Sequence, residues 1–519
     1  MQSVSEQTFF LTTAANLIGV APITLKRWLL EGKINDVQRD RRGWRVFTQS
    51  DINKIKAHTE CAKQPAPKQL SLYTKHGEAV YEEKASSFRD SAFNGNKKLP
   101  FHRWVPWIAG FSSNFVEDCF NNYLDRSVPH SEITILDPFA GVGTTLTEGI
   151  MHGYNVVGFE INPYAYLSCK VKLSAVHLSS TIIEDECAKF LSYYNKRVDD
   201  QSYTPRSKPP EKFGTRAPFY SPDVARKVLI VMDYLPNINN LEVRDIFRLA
   251  FGSVMVSFSN YSYEPSLGRR VSSGKEEILD APVESILAAK ITNMSSDMYE
   301  FEELHADSAR SVKSHIFNES IFNATQFCEP ESIDLIVTSP PYLNNYHYLR
   351  NTRPQLYWLD IATDPKRLRE IEHESFGKFW QTVRDQDQIP LDFRHEGLES
   401  RLDLLRDINQ NKKTYGGAGW ANYAATYFND TYRFCKSVSK LMKPDSKAVV
   451  VIGNSILQGV EINTDQIFAD IGEIAGLKKR DIILLRTKRT GSSIIDSSVR
   501  AAKTTKKTTL YETAVVFSK

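Results

Sequence analysis

The stretch "ITILDPFAGVGTTLTEGIMHGYNVVGFE", residues 133–160, decides the fold of this chain. Residues 133–136 are a short run rich in β-formers, and a turn containing two glycines leads into a helix that we predict from about 144 to 152. A second strand, NVVGFE, then ends on an acid, Glu160. A strand, a glycine-rich turn, a helix and a second strand are the opening unit of a parallel α/β sheet.

The turn between these elements favours a nucleoside-type ligand. Gly141 and Gly143 allow the backbone to approach a ligand closely. An acid that ends the second strand, Glu160, is placed to bind ribose hydroxyls. The dinucleotide pattern G-x-G-x-x-G would need a glycine at position 146, which is Leu146 here, so a pyrophosphate cradle fits less well. The alternative is a tight turn of an α/β fold that binds nothing.

A second motif follows another apolar run. In "LIVTSPPYLNNYHY", residues 335–348, two adjacent prolines come directly after a predicted strand at 333–337. Proline fixes its own φ, donates no backbone hydrogen bond and pushes the preceding residue out of the helical region. Residues 338–342 therefore form a rigid, extended exit from the strand. The alternative is a structural loop without a functional role.

Together, "DPFAGVGTT", "GFE" and "TSPPY" resemble the cofactor and catalytic motifs of S-adenosyl-L-methionine (AdoMet)-dependent DNA amino-methyltransferases. Those motifs are F-x-G-x-G and (S/N/D)-P-P-(Y/F/W). Residues 101–116, 346–360, 440–464 and 510–519 resemble further parts of that family. The resemblance spans about 100–175 and 300–519. It implies an α/β, Rossmann-like AdoMet-dependent methyltransferase fold with a helical insertion, and AdoMet as the cofactor.

The resemblance also implies the roles of individual residues. The Ser339 side chain and the Pro340 carbonyl would accept hydrogen bonds from an exocyclic amino group, with Pro341 keeping that carbonyl rigid. Tyr342 would stack on a base swung out of the duplex. The implied cofactor-binding residues are Asp137, Phe139, Ala140, Gly141, Gly143, Thr144, Glu160 and Asp307. Such a transfer needs no metal, and the sequence contains no Pro-Cys dipeptide of the kind that methylation at cytosine carbon 5 would require.

Ser-Pro-Pro-Tyr at 339–342 is more typical of N4-cytosine enzymes in that family, so we expect cytosine N4 as the target and adenine N6 as the alternative. Two further readings stay open: an RNA base methyltransferase, or a DNA-binding regulator with an inactive methyltransferase domain. The expected partners are double-stranded DNA and a cognate restriction endonuclease, in a restriction-modification or phage-defence setting.

The amino-terminal part carries a separate pattern. Residues 8–58 contain the stretch "PITLKRWLL" of a predicted second helix and the run "RRGWRVFTQSDI", and they resemble the winged helix-turn-helix DNA-binding domain of the MerR family. A recognition helix of this kind can enter a major groove. The DNA-binding residues that the resemblance implies are Lys26, Arg27, Arg41, Arg42, Trp44 and Arg45. The alternative is a small helical domain for protein contacts.

Composition limits the remaining possibilities. With 519 residues, 41% hydrophobic and 24% charged, the chain is globular and long enough for several domains. Its net charge is only +3, but residues 476–519 hold eleven Lys and Arg against three Asp and Glu, an excess that suits a phosphate backbone. Six scattered cysteines form no C-x-x-C pair, and neither a signal peptide nor an apolar run near membrane-spanning length is visible. We expect a cytoplasmic protein.

These patterns predict an order of domains along the chain. We expect a MerR-like winged helix-turn-helix at 1–58, a linker at 59–97, the AdoMet-binding part of the methyltransferase domain at 98–175, a helical insertion at 176–300 and the catalytic part at 301–519. The insertion and a variable segment at 363–420 are the candidates for target recognition.

Overall fold

The computed structural model describes most of the chain. The described residues are 8–18, 25, 29, 34, 37–38, 45–61, 88–89, 93–107, 110–263, 267–309, 312–344, 346–488 and 510–519. The chain divides into two compact units, Met1–Ala85 and Ser86–Lys519. The boundary falls within residues 59–97, where the sequence predicts a linker.

The described residues of the amino-terminal unit include two short strands and two helices. They are β1 (Thr8–Phe10), α1 (Leu11–Ile18), β2 (Val46–Thr48) and α2 (Gln49–Cys61). Strands β1 and β2 pair antiparallel. The Asp51 carboxylate accepts hydrogen bonds from the backbone N–H and the hydroxyl of Thr48, both at 2.9 Å, which closes the start of α2. Phe47 and Ile52 belong to the small apolar core beneath these elements.

The larger unit is organised by a mixed sheet. Its strands and those of two hairpins are β3 (Thr134–Asp137), β4 (Asn155–Phe159), β5 (Tyr261–Tyr263), β6 (Leu267–Arg269), β7 (Ser314–Phe317), β8 (Ile333–Thr338), β9 (Met442–Gly453), β10 (Ser455–Leu457), β11 (Val460–Ile462), β12 (Lys478–Lys488) and β13 (Leu510–Ser518). In the described part of the chain the main sheet has seven strands in the order β12-β13-β9-β8-β3-β4-β7. The run from β9 to β7 is parallel, and β13 lies antiparallel between β9 and β12.

Helices cover both faces of this sheet. They are α3 (Ser113–Tyr123), α4 (Thr144–Met151), α5 (Pro163–Ala175), α6 (Ser180–Val198), α7 (Pro222–Tyr234), α8 (Leu241–Val254), α9 (Val283–Ala309), α10 (Tyr348–Trp358), α11 (Pro365–Glu374), α12 (Trp380–Val383), α13 (Glu396–Asp407), α14 (Gly417–Leu441) and α15 (Thr464–Ile474). Short 3-10 turns occur at Phe93–Lys98, His102–Trp104, His130–Glu132, Leu235–Asn237, Arg270–Ser273, Ile321–Gln326 and Gln410–Tyr415. No helix among the described residues is long and apolar enough to cross a membrane. The α/β fold class that the sequence predicts is confirmed.

The apolar run of β8 is explained by burial on two sides. Leu335 and Val337 join the core cluster on one face of the sheet, whereas Ile333 and Ile336 join the cluster on the other. A central parallel strand is covered by helices on both faces, so it reads as a continuous apolar run rather than an alternating one. Each such buried side chain contributes roughly 1.5–3 kcal/mol to folding.

In the described part of the chain, four helices (α6 to α9) and the β5–β6 hairpin are inserted between α5 and β7. Within this insertion, Asp297 of α9 is completely buried and accepts hydrogen bonds from the Phe101 N–H at 2.9 Å and the Trp104 indole N–H at 2.8 Å. Arg103 also donates to the same carboxylate. The insertion thereby fixes residues 101–107, the segment that brings Trp107 to the carboxyl edge of the sheet.

Candidate active site

A cavity of about 290 Å³ opens where the parallel strands of the larger unit end. Phe139 and Gly141 line it after β3, and Glu160 lines it after β4. The opposite wall is residues 339–342, which follow β8. The carboxyl ends of parallel strands share one edge of a sheet, so two motifs that are distant in sequence meet there.

The glycine turn after β3 wraps closely around this cavity. Gly141 has φ +53° and Gly143 has φ +86°, conformations that a residue with a Cβ adopts at a cost. A Cβ on Gly143 would also stand 3.2 Å from the sulfur of Cys169 on α5. The Lys172 ammonium of the same helix donates to the Val142 carbonyl at 2.6 Å, and burial lowers the pKa of this lysine to about 8. Contacts from Cys169 and Lys172 of helix α5 therefore stabilise the glycine turn.

Glu160 is hydrogen-bonded by the two segments that flank it. One carboxylate oxygen accepts from the Gly141 N–H at 2.7 Å and the other from the Asn162 N–H at 2.7 Å. Burial raises the pKa of this carboxyl to about 7, against the opposing effect of those two N–H groups. The half-buried carboxylate at the cavity wall thus has a fixed orientation and titrates near neutral pH.

Asp137 links the two motifs from behind the cavity. It is 1% exposed, and one of its oxygens accepts from the Thr338 hydroxyl at 2.6 Å and from the Phe139 N–H at 3.1 Å. Burial raises its pKa to about 6. Thr338 is the last residue of β8, so this bond fixes the start of the Ser-Pro-Pro-Tyr loop against the glycine turn.

The Ser-Pro-Pro-Tyr loop is held by its neighbours as well as by its prolines. The Tyr427 hydroxyl donates to the Pro341 carbonyl at 3.1 Å, and the Asn344 N–H donates to the Tyr342 carbonyl at 2.7 Å. The Tyr342 ring lies against Gly453 at the end of β9, where an added Cβ would stand 3.4 Å from the ring. Burial raises the pKa of the Tyr342 phenol well above its usual value, against the opposing effect of a hydrogen bond with the Ser339 side chain.

Several predicted cofactor residues support the cavity without lining it. Ala140 and Gly143 belong to the turn and Thr144 begins α4, with Ala140 4% and Thr144 6% exposed. Asp307 lies in α9, before the amino end of β7, and its side chain falls outside the described residues. Among the residues that follow β7, Glu319 lines the cavity.

Other cavity residues were not among the site residues that the sequence analysis predicted. Trp107, Asn162 and Glu319 line the half near Glu160, whereas Arg486 and Glu512 line the half near Tyr342. Glu319 follows a strand as Glu160 does, and that repeated pattern of an acid after a strand could have identified it. Arg486 and Glu512 sit in strands whose register is not visible in the sequence.

Most of the predicted DNA-binding residues fall outside the described residues: Lys26, Arg27, Arg41, Arg42 and Trp44. Arg45 is described, half-buried and directly before β2. In the part of the chain that the structure describes, no group of three or more His, Cys, Asp or Glu residues could hold a metal ion.

A mostly parallel sheet covered by helices on both faces, with a glycine turn, a strand-ending acid and a Ser-Pro-Pro-Tyr loop, is the arrangement of AdoMet-dependent methyltransferases. Comparison with known proteins agrees. The model of the MerR HTH family regulatory proteins matches residues 11–63. The Type II methyltransferase M.BsoBI of Geobacillus stearothermophilus is 23% identical over 509 residues, covering 88% of this chain and 94% of that relative.

A second relative extends this likeness. The Type II methyltransferase M.AvaI of Nostoc sp. is 23% identical over 429 residues, covering 78% of this chain and 84% of the relative. Among solved structures, the rRNA methyltransferase aviRa from Streptomyces viridochromogenes overlaps 80% of this chain and 87% of its own, at 10% identity and a TM-score of 0.25.

The chain is thus a homologue of Type II methyltransferases over most of its length, with a MerR-type helix-turn-helix region near its amino end. The methyl donor that this homology implies is AdoMet. The residues present fit such a donor, because AdoMet carries a ribose and two cationic groups. Glu160 offers acceptors for ribose hydroxyls, and Glu160 and Glu319 supply negative charge at the cavity wall.

Proposed function

We propose that this chain methylates the exocyclic amino group of a base in double-stranded DNA, with cytosine N4 as the target and adenine N6 as the second candidate. The observation that supports this most directly is the single cavity shared by Gly141, Glu160 and residues 339–342. In this cavity a nucleoside-type cofactor and the amino group of a base would lie next to each other. The homology to Type II methyltransferases favours DNA as the substrate and a restriction-modification setting, with a cognate endonuclease as partner.

The half of the cavity after β3 and β4 would hold the cofactor. When bound, AdoMet supplies a methyl group on a cationic sulfonium. Glu160 would accept hydrogen bonds from the ribose hydroxyls, since its oxygens are already aimed by the Gly141 and Asn162 N–H groups. Gly141 has no side chain, so the cofactor can approach the backbone closely there. Trp107 lines the same side of the cavity.

The half after β8 would hold the amino group. An amino nitrogen on a base is a poor nucleophile, because its lone pair is delocalised into the ring. Two acceptors, the Ser339 hydroxyl oxygen and the Pro340 carbonyl, would draw this nitrogen toward a tetrahedral form and aim its lone pair at the methyl group. The prolines and the Tyr427 bond to Pro341 fix these acceptors before the substrate arrives, which is electrostatic preorganisation.

A base inside a duplex cannot reach this cavity, so it must be swung out of the helix. Tyr342 would then stack on the extruded base, and its ring is held in place by Gly453 behind it. Ser339 favours cytosine over adenine because Ser-Pro-Pro-Tyr is more typical of N4-cytosine enzymes in the family that the sequence resembles.

We further propose that residues 1–58 contact duplex DNA, since the MerR family model matches residues 11–63. This region would add a second DNA contact, and it could repress the promoter of the chain's own operon. Deleting residues 1–60 should abolish promoter binding measured by gel shift with the purified chain. Promoter binding that survives the deletion would refute the regulatory role without affecting the methyltransferase proposal.

The decisive experiment is mass spectrometry of nucleosides from the DNA of cells that express the chain. A Ser339→Ala, Pro340→Ala double variant is the control, with its AdoMet affinity measured to show that it folds. N4-methylcytosine in the wild type alone supports the full proposal, and N6-methyladenine keeps the mechanism but changes the base. If neither base is methylated in DNA, the proposal fails, and RNA or regulation becomes the better hypothesis.

A further inference from the structure

A row of three residues crosses the sheet beside the wall that Tyr342 forms. Gly453 of β9 lies opposite Glu512 of β13, and Glu512 lies opposite Arg486 of β12. Residues directly opposite each other in antiparallel strands project to the same face of the sheet. The missing side chain of Gly453 faces the Tyr342 ring, so Glu512 and Arg486 stand on the face that this ring occupies.

Glu512 and Arg486 form a charged pair at this position. The Arg486 Nε–H donates to the Glu512 carboxylate, and both residues line the cavity. Glu512 is 4% exposed, whereas the Arg486 side chain keeps 29% of its surface accessible. A guanidinium is planar and rigid, so a carboxylate that binds its Nε–H also fixes the direction of its terminal N–H groups.

We propose that Arg486, oriented by Glu512, binds the ring edge of the base next to the amino group and sets the preference for cytosine over adenine. This inference rests on the proposed amino-methyltransferase function. Beyond its amino group cytosine presents two acceptors, N3 and O2, which match the paired N–H groups of a guanidinium. Adenine presents N1 and then a C–H, so it can accept only one of these hydrogen bonds.

Arg486→Met tests the role of the guanidinium with little change in side-chain length. The matched control is Arg480→Met on the same strand, because the Arg480 Nε–H donates to the Ser518 hydroxyl at 2.6 Å and this arginine does not line the cavity. The substrate is a duplex whose sequence is taken from methylated sites mapped in cells expressing the chain. We expect Arg486→Met to lower kcat/KM for cytosine about tenfold to a hundredfold, with AdoMet affinity unchanged. Glu512→Gln should give a smaller loss, and Arg480→Met should behave as wild type.

A substrate analogue separates recognition from folding. Replacing the target cytosine by 3-deazacytosine removes the ring acceptor N3 and keeps the amino group and O2. The analogue should slow the wild type and the Arg480→Met control by the same factor, and should slow Arg486→Met by clearly less. If Arg486→Met does not fold, the comparison between the wild type and Glu512→Gln on both substrates serves the same purpose.

The possible outcomes distinguish this inference from the function on which it rests. Equal activity of Arg486→Met and Arg480→Met on cytosine would overturn the role of Arg486, and equal slowing of all variants by the analogue would do the same. Methyladenine as the only product would overturn the inference and leave amino methylation intact. A wild type that methylates no DNA base would remove the proposed function and, with it, this inference.

Discussion

The Tyr427 hydroxyl donates a 3.1 Å hydrogen bond to the Pro341 carbonyl, which ties helix α14 to the Ser-Pro-Pro-Tyr loop. The same ring packs against Gly377 on another wall of the cavity, where an added Cβ would stand 3.0 Å from it. Gly377 is anchored in turn, because its N–H donates to Asp430 of α14 at 3.1 Å. One helix therefore positions two walls of the site.

Tyr427→Phe should lower kcat for DNA methylation about tenfold, because it leaves the Pro341 carbonyl without this donor and loosens the loop that carries the acceptors. The KM for AdoMet should stay unchanged, since the change lies away from Glu160. Steady-state kinetics with both substrates measures the two effects separately. Tyr432→Phe on the same helix is the control, because its ring packs against Phe393 away from the cavity. An equal kcat for the two variants would argue against a positioning role for Tyr427.

Tyr342→Ala and Pro340→Ala should each abolish detectable methylation while AdoMet still binds. The first removes the proposed stacking ring, and the second frees the carbonyl that accepts from the amino group. Methyl-transfer assays with radiolabelled AdoMet and calorimetric binding of AdoMet measure the two properties. Tyr299→Ala serves as a control, because that side chain is 57% exposed on the insertion helix α9. Full activity in both site variants would refute the catalytic assignment.

The sequence predicted the parts of this site that depend on local signals. A sequence pattern of only a few residues identifies each of three features: the strand before Ser339, the glycine turn and the strand-ending Glu160. Their meeting at one edge follows from parallel topology alone. The site roles themselves stay predictions until they are measured.

The other cavity residues depend on register between distant segments. Arg486 and Glu512 lie near Tyr342 only because β13 pairs antiparallel between β9 and β12, and no local pattern specifies that alignment. Similarly, Glu319 reaches the cavity because Phe317 aligns with Phe159 at the carboxyl end of parallel strands. Long-range pairing of this kind depends on the packing of the whole domain.

Binding of AdoMet should strengthen as the pH rises from 6 to 8. Burial raises the pKa of Glu160 to about 7, so below that pH the carboxyl is mostly protonated and accepts hydrogen bonds less well. The sign follows from linkage: if the ionised form binds the cofactor, binding releases a proton, and affinity rises up to the pKa and then levels. Asp137, Cys169 and Tyr348 are titratable groups near this carboxyl, and of these only Asp137, whose pKa burial raises to about 6, titrates in the same pH range.

Calorimetric titrations of AdoMet at several pH values test this prediction, with Glu160→Gln as the key variant. Glutamine keeps the shape of the side chain but cannot ionise, so its affinity should be lower at pH 8 and nearly flat across the range. An unchanged pH profile in Glu160→Gln would assign the titration to another group, with Asp137 the first to examine.

Gly453→Ala should impair methylation, because Gly453 lies behind the Tyr342 ring that would stack on the base. The added Cβ would stand 2.9 Å from the Tyr511 carbonyl and 3.4 Å from the Tyr342 ring, so the strand pairing or the ring must shift. Overpacking of this kind costs about 1–3 kcal/mol, which thermal unfolding would detect as a lowered Tm. Gly214→Ala is the control, because nothing lies within 4 Å of a Cβ at that position.

The pattern of losses in Gly453→Ala identifies what the glycine does. If its role is to position the Tyr342 ring, kcat for methylation should fall while AdoMet affinity stays near the wild-type value, because Glu160 and the glycine turn follow other strands, β4 and β3. A variant that loses stability and AdoMet affinity together, with kcat preserved, would instead mean that Gly453 serves the pairing of β9 with β13. Because Gly453, Glu512 and Arg486 share one row, a shift at this glycine should also weaken discrimination between cytosine and 3-deazacytosine.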